Sequence, residues 1–341
     1  MEAVSAPVQS VKADWAKVVA RYQTPITWKS VWQIVNSFVP FVVAWYLAYR
    51  ALAISYWLAL ALAALAAGFE VRLFIIQHDC GHGSFLKSKT ASDLVGSIIG
   101  VLTLTPYFFW RRQHAVHHAT ACNLDRRGIG DVYTMTVREY LSSSRWKRLG
   151  YRLFRHPLVV FGLGPTYTFV LSHRVPFQTP RALKRERASV YWTDLAIVAV
   201  SVIMGLTVGF KEFLLIQAPI TLIASTVGVW LFYVQHQFEG NYWARNDQWD
   251  YALAALKGAS YYKLPKLFQW FTGNIGLHHI HHLSPKTPNY LLQKCYDENP
   301  ILQVKPLTLW ASLKCTALNL WDEQQQRLVS FRSLQSMLHT S

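Results

Sequence analysis

The sequence predicts an all-α integral membrane protein, with about four transmembrane helices in two hairpins and a cytoplasmic helical cap that carries a di-metal site. Three observations lead to this fold class. The chain has 341 residues, 52% of them hydrophobic, and long apolar stretches recur along it. These stretches come in two pairs, each joined by a very short connection. Histidines cluster at three places outside the apolar stretches or at their ends.

Four apolar stretches approach the roughly 20 residues that a helix needs to cross a bilayer core. They are predicted near residues 31–49, 54–77, 191–210 and 213–234. The ionisable exceptions are Glu70 and Arg72, near the end of the second stretch, and Asp194, near the start of the third. Because transporters place polar residues at the bilayer midplane, spans this free of charge argue against a non-catalytic metal binder or transporter.

The orientation of the spans follows from the basic residues. The connections Arg50–Ala53 and Lys211–Glu212 are short, whereas the segment from Arg111 to Ser189 is rich in Arg and Lys. Such residues accumulate in cytoplasmic segments, so we expect this segment and both termini to be cytoplasmic. The formal net charge of +16 also suits a surface against anionic headgroups. Binding of nucleic acid would explain the charge, but it explains neither the spans nor the histidines.

The domain plan is one N-terminal segment and one membrane domain. Residues 1–30 are expected to be a cytoplasmic segment, and Val11, Trp15, Val18, Val19 and Tyr22 have the spacing of an interfacial helix, with exposed coil as the alternative. Residues 31–341 are expected to form a single domain, whose cytoplasmic cap would comprise residues 78–190 and 235–341.

Two apolar stretches inside the predicted cap are interrupted. Leu94–Trp110 contains Pro106 and is predicted to be a re-entrant or interfacial pair of helices. Pro157–Val170 is interrupted by Gly162, Gly164 and Pro165 and is predicted to be a shallow, irregular element. The four cysteines form no CxxC pair, and we expect reduced thiols.

The histidine clusters have the spacing of metal ligands. They read HDCGH over residues 78–82, HAVHH over 114–118 and HHIHH over 278–282. On a helix, residues three and four apart share one face, about 5–6 Å apart at Cβ, so each cluster offers two or three imidazoles to one side. A single HxxxH pair is usually a solvated or core pair, but three such clusters indicate metal binding.

The number of candidate ligands indicates two metal ions. The clusters supply eight histidines at ligand spacing, and His236, at the end of the fourth span, makes nine. A structural zinc needs four ligands and a catalytic zinc three, so nine suit two ions. The chain has no ExxH pair of the kind that binds di-iron in soluble carboxylate bundles. Two irons are the natural interpretation, although imidazole also suits zinc and copper.

The three clusters, in this order and with these spans, resemble those of the membrane fatty acid desaturases. The stretches that carry the resemblance to the bacterial and cyanobacterial acyl-lipid branch are Gln77–Phe85, His114–Tyr133, Val234–Glu239 and Thr272–Tyr290. The resemblance implies a di-iron centre held by the histidines of the clusters and by one histidine between the second and third. These correspond here to His78, His82, His114, His117, His118, His236, His278, His281 and His282.

Residues around these ligands are assigned less directly. Asp79 and Glu239 are candidates to orient a ligand imidazole, since metal-bound histidines usually donate their other N–H to a carboxylate or carbonyl; Asp131 is a poorer candidate. His279 is expected to support the ligands or to be exposed. In the acyl-CoA branch an asparagine lies four residues before the histidine that corresponds to His236, and here Phe232 stands in its place.

The resemblance implies that the chain uses O2 and two external electrons to introduce a double bond into lipid-linked acyl chains. The alternative on the same scaffold is a hydroxylase or ketolase that acts on acyl chains, sterols or carotenoids. The protein would lie in a bacterial plasma membrane or a thylakoid-like membrane, with its active site on the cytoplasmic side. An apolar tunnel must lead from the bilayer to the metals, and its candidate lining residues are Phe108, Phe109, Trp110, Trp230 and Phe232.

The electron donor is expected to be a separate protein. The chain has no HPGG haem motif, since His156-Pro157 continues with Leu158-Val159, and no nucleotide fingerprint. We expect ferredoxin or a similar small carrier, which the basic surface would attract in a salt-sensitive manner.

Overall fold

The four predicted spans are confirmed. The computed structural model describes residues 15–177 and 179–340, and within these ranges four helices are long and apolar enough to cross a membrane. They are α1 (Thr27–Ala51), α2 (Tyr56–His82), α7 (Lys184–Val208) and α8 (Phe210–His236).

The second hairpin differs from the prediction at both of its helix starts. Helix α7 begins at Lys184 instead of residue 191, so its first turns are charged and extend beyond the apolar stretch. The chain turns at Gly209, and Lys211 and Glu212 belong to the first turn of α8. Gly209 has φ +99°, and a Cβ there would lie 2.1 Å from the Glu212 carboxylate. Only glycine fits this turn, so the chain turns at Gly209 and not at Lys211–Glu212.

Helix α2 is the central span. In its most apolar window 56% of the residues are buried, against 17% in α7. The buried residues of α2 pack against α1, α8 and residues from the cap, such as Ile275 and Cys315, in one continuous core. Burial of apolar surface thus fixes the end of α2, and the histidines on it, relative to the cap.

The stretch around Pro106 forms the predicted pair of helices, α3 (Lys89–Leu102) and α4 (Tyr107–Thr120). The two helices are bent by 101° at the break. Proline at position 106 ends the preceding helical pattern, and Leu104 takes a positive φ of 52° in the turn. The bend aims α4 across the end of α2.

The stretch after Pro157 is irregular, as predicted. It consists of a π-helical turn Val159–Leu163, a short α-turn Gly164–Thr166, a second π-helical turn Tyr167–Leu171 and a 3₁₀ turn Ser172–Arg174. This irregular segment, 159–174, packs against α8, where the Thr226 hydroxyl donates to the Phe161 carbonyl at 3.1 Å. Four of its large apolar side chains are exposed, namely Leu163, Tyr167, Val170 and Leu171.

The cap consists of short helices and five very short strands. The helices are α5 (Val137–Ser142), α6 (Arg145–Phe154), α9 (Tyr251–Gly258), α10 (Lys266–Phe271), α11 (His278–Leu283), α12 (Asn289–Glu298), α13 (Leu309–Lys314) and α14 (Phe331–Thr340), with 3₁₀ turns at Pro300–Leu302 and Cys315–Ala317. The strands are β1 (Met135–Thr136), β2 (Tyr261–Lys263), β3 (Pro306–Thr308), β4 (Leu320–Asp322) and β5 (Arg327–Val329).

The strands form two small sheets that the all-α prediction did not include. One has the order β1-β4-β5, with β1 parallel and β5 antiparallel to β4, and the other pairs β2 with β3 in parallel. Strands of two or three residues are too short to show an alternating pattern in the sequence. The fold class is unchanged, because the sheets only join loops of the cap.

The N-terminal segment is helical over residues 15–20. Val19 and Tyr22 are buried in a core with Leu277, Ile280 and Leu292 of the cap. The Tyr22 hydroxyl donates to the Glu298 carboxylate at 2.5 Å. The buried residues of this segment therefore pack against the cap, whereas Val11 lies outside the described residues. All four cysteines are buried and unpaired.

Candidate metal centre

Four helices bring the nine predicted histidines together. His78 and His82 lie in the last turns of α2, and His236 ends α8. Helix α4 supplies three histidines and the six-residue α11 supplies three more. The ends of α2 and α8 thus position three of the histidines, while α4 and α11 position the other six.

The nine histidines divide into two groups, in each of which one ring nitrogen per residue lies within 4.8 Å of all the others. We call them the first and the second group. The clusters around His117 and His281 contribute to both groups, so the groups share two helices. The first group contains His78, His82, His114, His118 and His281, and the second contains His117, His236, His278 and His282.

The Nε2 atoms in each group face one another. In the second group, Nε2 of His236 lies 3.1 Å from Nε2 of His117 and 3.0 Å from Nε2 of His278. In the first group, Nε2 of His118 lies 3.1 Å from Nε2 of both His114 and His281. A neutral imidazole has one N–H donor and one acceptor nitrogen, so converging nitrogens cannot all satisfy one another. A cation between them satisfies every lone pair, and the donor set fits two such ions.

The imidazoles of α11 are held in the neutral form that metal binding needs. Burial lowers the pKa of His281 well below its usual value, and the neighbouring His78 lowers it further. Burial acts in the same direction on the pKa of His282, with His278 as the next cause. Both side chains are almost completely enclosed.

Two of the nine histidines have their other ring nitrogen fixed by a partner. Nδ1 of His78 lies 3.0 Å from Oδ1 of Asp79, and Nδ1 of His236 lies 3.2 Å from the Gly258 carbonyl oxygen. An Nδ1–H donated to these oxygens leaves Nε2 with its lone pair directed into the group. Nε2 of His78 is buried and has no hydrogen-bond partner among the described residues. This is the atom expected to bind metal.

Asp79 is itself held rigidly. Its Oδ2 accepts two hydrogen bonds from Asn289, one from the backbone N–H at 2.7 Å and one from the side-chain amide at 2.8 Å. The Asn289 amide oxygen in turn accepts from Gln33 at 3.0 Å. The carboxylate is 1% exposed and is oriented from both α12 and α1. The structure therefore places this predicted supporting residue against a cluster histidine.

Glu239 is not in such a position. It is exposed in the turn after α8, and no hydrogen bond joins it to a cluster histidine in the described part of the chain. The Gly258 carbonyl takes the place beside His236 that the sequence suggested for Glu239. Asp131 accepts a hydrogen bond from the Gly128 N–H at 2.8 Å. Burial raises the pKa of Asp131 to about 6.

The histidines outside the nine have separate roles. His279 is fully buried and not exposed, and its Nε2 lies 2.9 Å from the Leu302 carbonyl oxygen, outside both groups. His156 is exposed. His173 is 5% exposed and lines the cavity described next, a position that sequence spacing gave no reason to expect.

A cavity of about 670 Å³ reaches the first and second groups. At one end it is lined by His78, His114 and His278, and from there it follows α2 and α8 towards Glu70. Glu70 is eight residues before His78, about 12 Å along the helix axis. Exposed Leu163 and Tyr167 of the irregular segment line the cavity on its outer side. The cavity is therefore bordered by apolar side chains that are exposed on the surface of the protein.

Two of the five aromatic residues expected in a tunnel line this cavity, Trp110 and Phe232. The Trp110 ring stacks on His114 at 4.5 Å, and the Phe232 ring lies 5.0 Å from that of His117. The other three do not line the cavity and serve as packing, which is the more usual role of such aromatics. Phe108 lies under the Arg185 guanidinium, Phe109 packs on His173, and Trp230 donates to the Tyr262 hydroxyl.

Comparison with known sequences gives one consistent family. A family model described as fatty acid desaturase matches residues 55–306. The chain is 49% identical to a fatty acid desaturase of Bacillus subtilis, over 93% of this chain and 90% of that protein. It is 30% identical to an sn-1 acyl-lipid omega-3 desaturase (ferredoxin) of Synechocystis, over 70% of each, and 26% identical to an sn-1 oleoyl-lipid 12-desaturase of Anabaena variabilis, over 74% and 71%.

Proposed function

Because this chain belongs to the fatty acid desaturase family, whose members are oxidoreductases that act on acyl chains, we propose that it uses two iron ions and O2 to desaturate the acyl chains of membrane lipids. The observation that carries the proposal is the cavity, which extends from the two imidazole groups to exposed apolar side chains of the irregular segment. The nine histidines of the two groups are the proposed ligands.

The bound irons would supply the oxidising power that removal of hydrogen from an unactivated methylene requires. The chain's own residues would hold the irons and orient the ligands. Neutral imidazoles such as His281 direct lone pairs inward, and Asp79 fixes the His78 ring. Trp110 and Phe232, which contact ligand rings and line the cavity, exclude water and position an acyl chain beside them.

A lipid-linked substrate is supported by the shape of the cavity and by the relatives. The wall is made mainly of aliphatic and aromatic side chains, which suit an acyl chain and not a polar substrate. Exposed apolar side chains of the irregular segment would lie in lipid, so a chain enters without crossing water. The names of the Synechocystis and Anabaena relatives specify acyl-lipid and oleoyl-lipid substrates.

We further propose that the site faces the cytoplasm and receives electrons from ferredoxin or a similar carrier. The basic residues of segment 111–189 favour a cytoplasmic cap by the positive-inside rule. They also suit an acidic partner. One relative is named as ferredoxin-dependent. The cap would then be the side at which the carrier docks.

The proposal is tested by fatty acid profiling with double-bond localisation, in a host that expresses this chain and supplies ferredoxin. A new unsaturated species that is missing with His117→Ala would establish desaturation and its position. An oxygenated species carrying an atom from O2 would identify a hydroxylase instead. No change in any lipid, from folded and iron-loaded protein, would reject both.

Replacing Gly228 by leucine should block the cavity without removing metal. Gly228 lines the cavity, and a Cβ there meets no heavy atom within 4 Å, so a leucine side chain would occupy the space of the substrate. If the leucine displaces two or three methylene groups of the acyl chain, each worth about 0.8 kcal/mol of burial, we expect product formation to fall about 15- to 60-fold. Lipid profiling and iron analysis would measure this.

The matched control is Gly162→Leu, since Gly162 is also free of neighbours within 4 Å but does not line the cavity. Equal losses in the two variants, or loss of iron in Gly228→Leu, would contradict the assignment of this cavity to the substrate.

A further inference from the structure

Helix α6 presents an apolar face away from the protein. Trp146, Leu149 and Leu153 are spaced three and four residues apart, which places them on one side of the helix. Their exposed fractions are 69%, 46% and 56%. The opposite side is anchored by buried Tyr151, whose hydroxyl donates to the Asn319 carbonyl at 2.5 Å. The apolar face is therefore turned outward by the fold.

The same helix is strongly basic. Its ten residues, RWKRLGYRLF, include four cations and no acid. Arg152 donates to the Tyr140 hydroxyl at 2.6 Å, and Arg145 lies 5.4 Å from the Trp146 ring centre. Lys147 and Arg148 form no ion pair with any described residue. An outward apolar face flanked by cations is typical of a helix that lies in the plane of a membrane interface.

The helix ends at the mouth of the cavity. Its last residue, Phe154, is 44% exposed and lines the cavity. The irregular segment begins five residues later and supplies Leu163 and Tyr167 to the same wall. A headgroup held by Lys147 or Arg148 would therefore lie within two turns of the point where an acyl chain enters.

We propose that α6 binds the headgroups of anionic phospholipids and so selects them as substrates whose acyl chains enter the cavity. The part of this inference that concerns substrate selection rests on the proposed function. A bilayer is favoured over an acidic electron carrier because α6 exposes the apolar side chains of Trp146, Leu149 and Leu153. A membrane interface would bury these side chains, which are otherwise in contact with water. Each cation near an anionic surface increases the affinity about fivefold.

The test uses the full chain in nanodiscs of phosphatidylcholine with a minority of phosphatidylglycerol. A fluorophore is attached at Leu149→Cys, since the four native cysteines are buried. Quenching by spin-labelled phosphatidylglycerol is expected to exceed quenching by spin-labelled phosphatidylcholine. Adding Lys147→Gln and Arg148→Gln should reduce that preference about 5- to 25-fold. The ratio of unsaturated product in the two lipids should fall with it.

The control pair Lys257→Gln and Arg327→Gln removes the same charge from exposed positions of α9 and β5. Equal quenching by the two lipids, or an equal effect of the control pair, would overturn the proposal. It would also be overturned if the α6 variant kept its lipid preference and lost only salt-sensitive electron transfer, since the cations would then dock the carrier. Lipid preference without desaturation of any lipid would support the headgroup site and reject the proposed function.

Discussion

His117→Ala is expected to abolish desaturation. Nε2 of His117 lies 3.1 Å from Nε2 of His236 and 3.3 Å from Nε2 of His282, in the middle of the second group. The second group has four histidines, so the substitution leaves only three ligands. Changes to residues that merely support a ligand typically cost 10- to 100-fold in affinity or activity. Loss of the ligand itself should therefore exceed about 100-fold in product, measured by lipid profiling.

The iron content of purified protein separates this prediction from misfolding. We expect His117→Ala to lose up to half of its iron and to retain the helical circular dichroism of the unsubstituted protein. His156→Ala is the matched control, because His156 is exposed and belongs to neither group. Wild-type levels of product from His117→Ala would reject the two-group centre, and so would an equal loss in His156→Ala.

The four spans and the identity of the clustered histidines could be predicted from the sequence for a simple physical reason. A helix that crosses a bilayer must be long and apolar, and ligands on one helix must lie three or four residues apart. Both requirements therefore produce patterns that are visible in a short stretch of sequence. His236 has no partner at helical spacing, and it was included because it lies at the end of the fourth span and because the family resemblance implies one further ligand there. These features do not depend on how distant segments pack.

What the sequence did not predict depends on packing between distant segments. The division of the His114–His118 cluster between two groups depends on which histidines of the other three helices lie beside each of its side chains, and no local pattern contains this. The same applies to His173, brought to the cavity by the irregular segment, and to Val19, drawn into the cap core. Both are single residues whose partners lie far away in sequence.

The two acids proposed as supports show this limit most clearly. Asp79 and Glu239 each lie close to a ligand histidine in sequence, so the sequence predicted the same supporting role for both. Asp79 is buried because Asn289, 210 residues away, donates two hydrogen bonds to it. Glu239 has no such donor among the described residues and is exposed. Burial with satisfied hydrogen bonds separates a supporting residue from a solvated one.

Asp79→Asn is therefore expected to lower iron affinity and product formation by about 10- to 100-fold. The asparagine is nearly isosteric, but it removes the negative charge that accepts Nδ1–H of His78 and turns an amide towards the two donors of Asn289. The His78 ring then loses the partner that fixes Nε2 as the lone-pair nitrogen. Iron titration of the metal-free protein, followed by lipid profiling, measures both effects.

Glu239→Gln is the matched control, since it removes the same charge beside the same kind of helix end. We expect its iron affinity and product yield to equal those of the unsubstituted protein, because Glu239 contacts solvent and His236 already has the Gly258 carbonyl as its partner. Excess iron should partly restore Asp79→Asn if the acid acts by orienting His78. A deficit in product that persists at full iron occupancy would instead assign Asp79 a role beyond ligand orientation, and a deficit in Glu239→Gln would return that residue to the site.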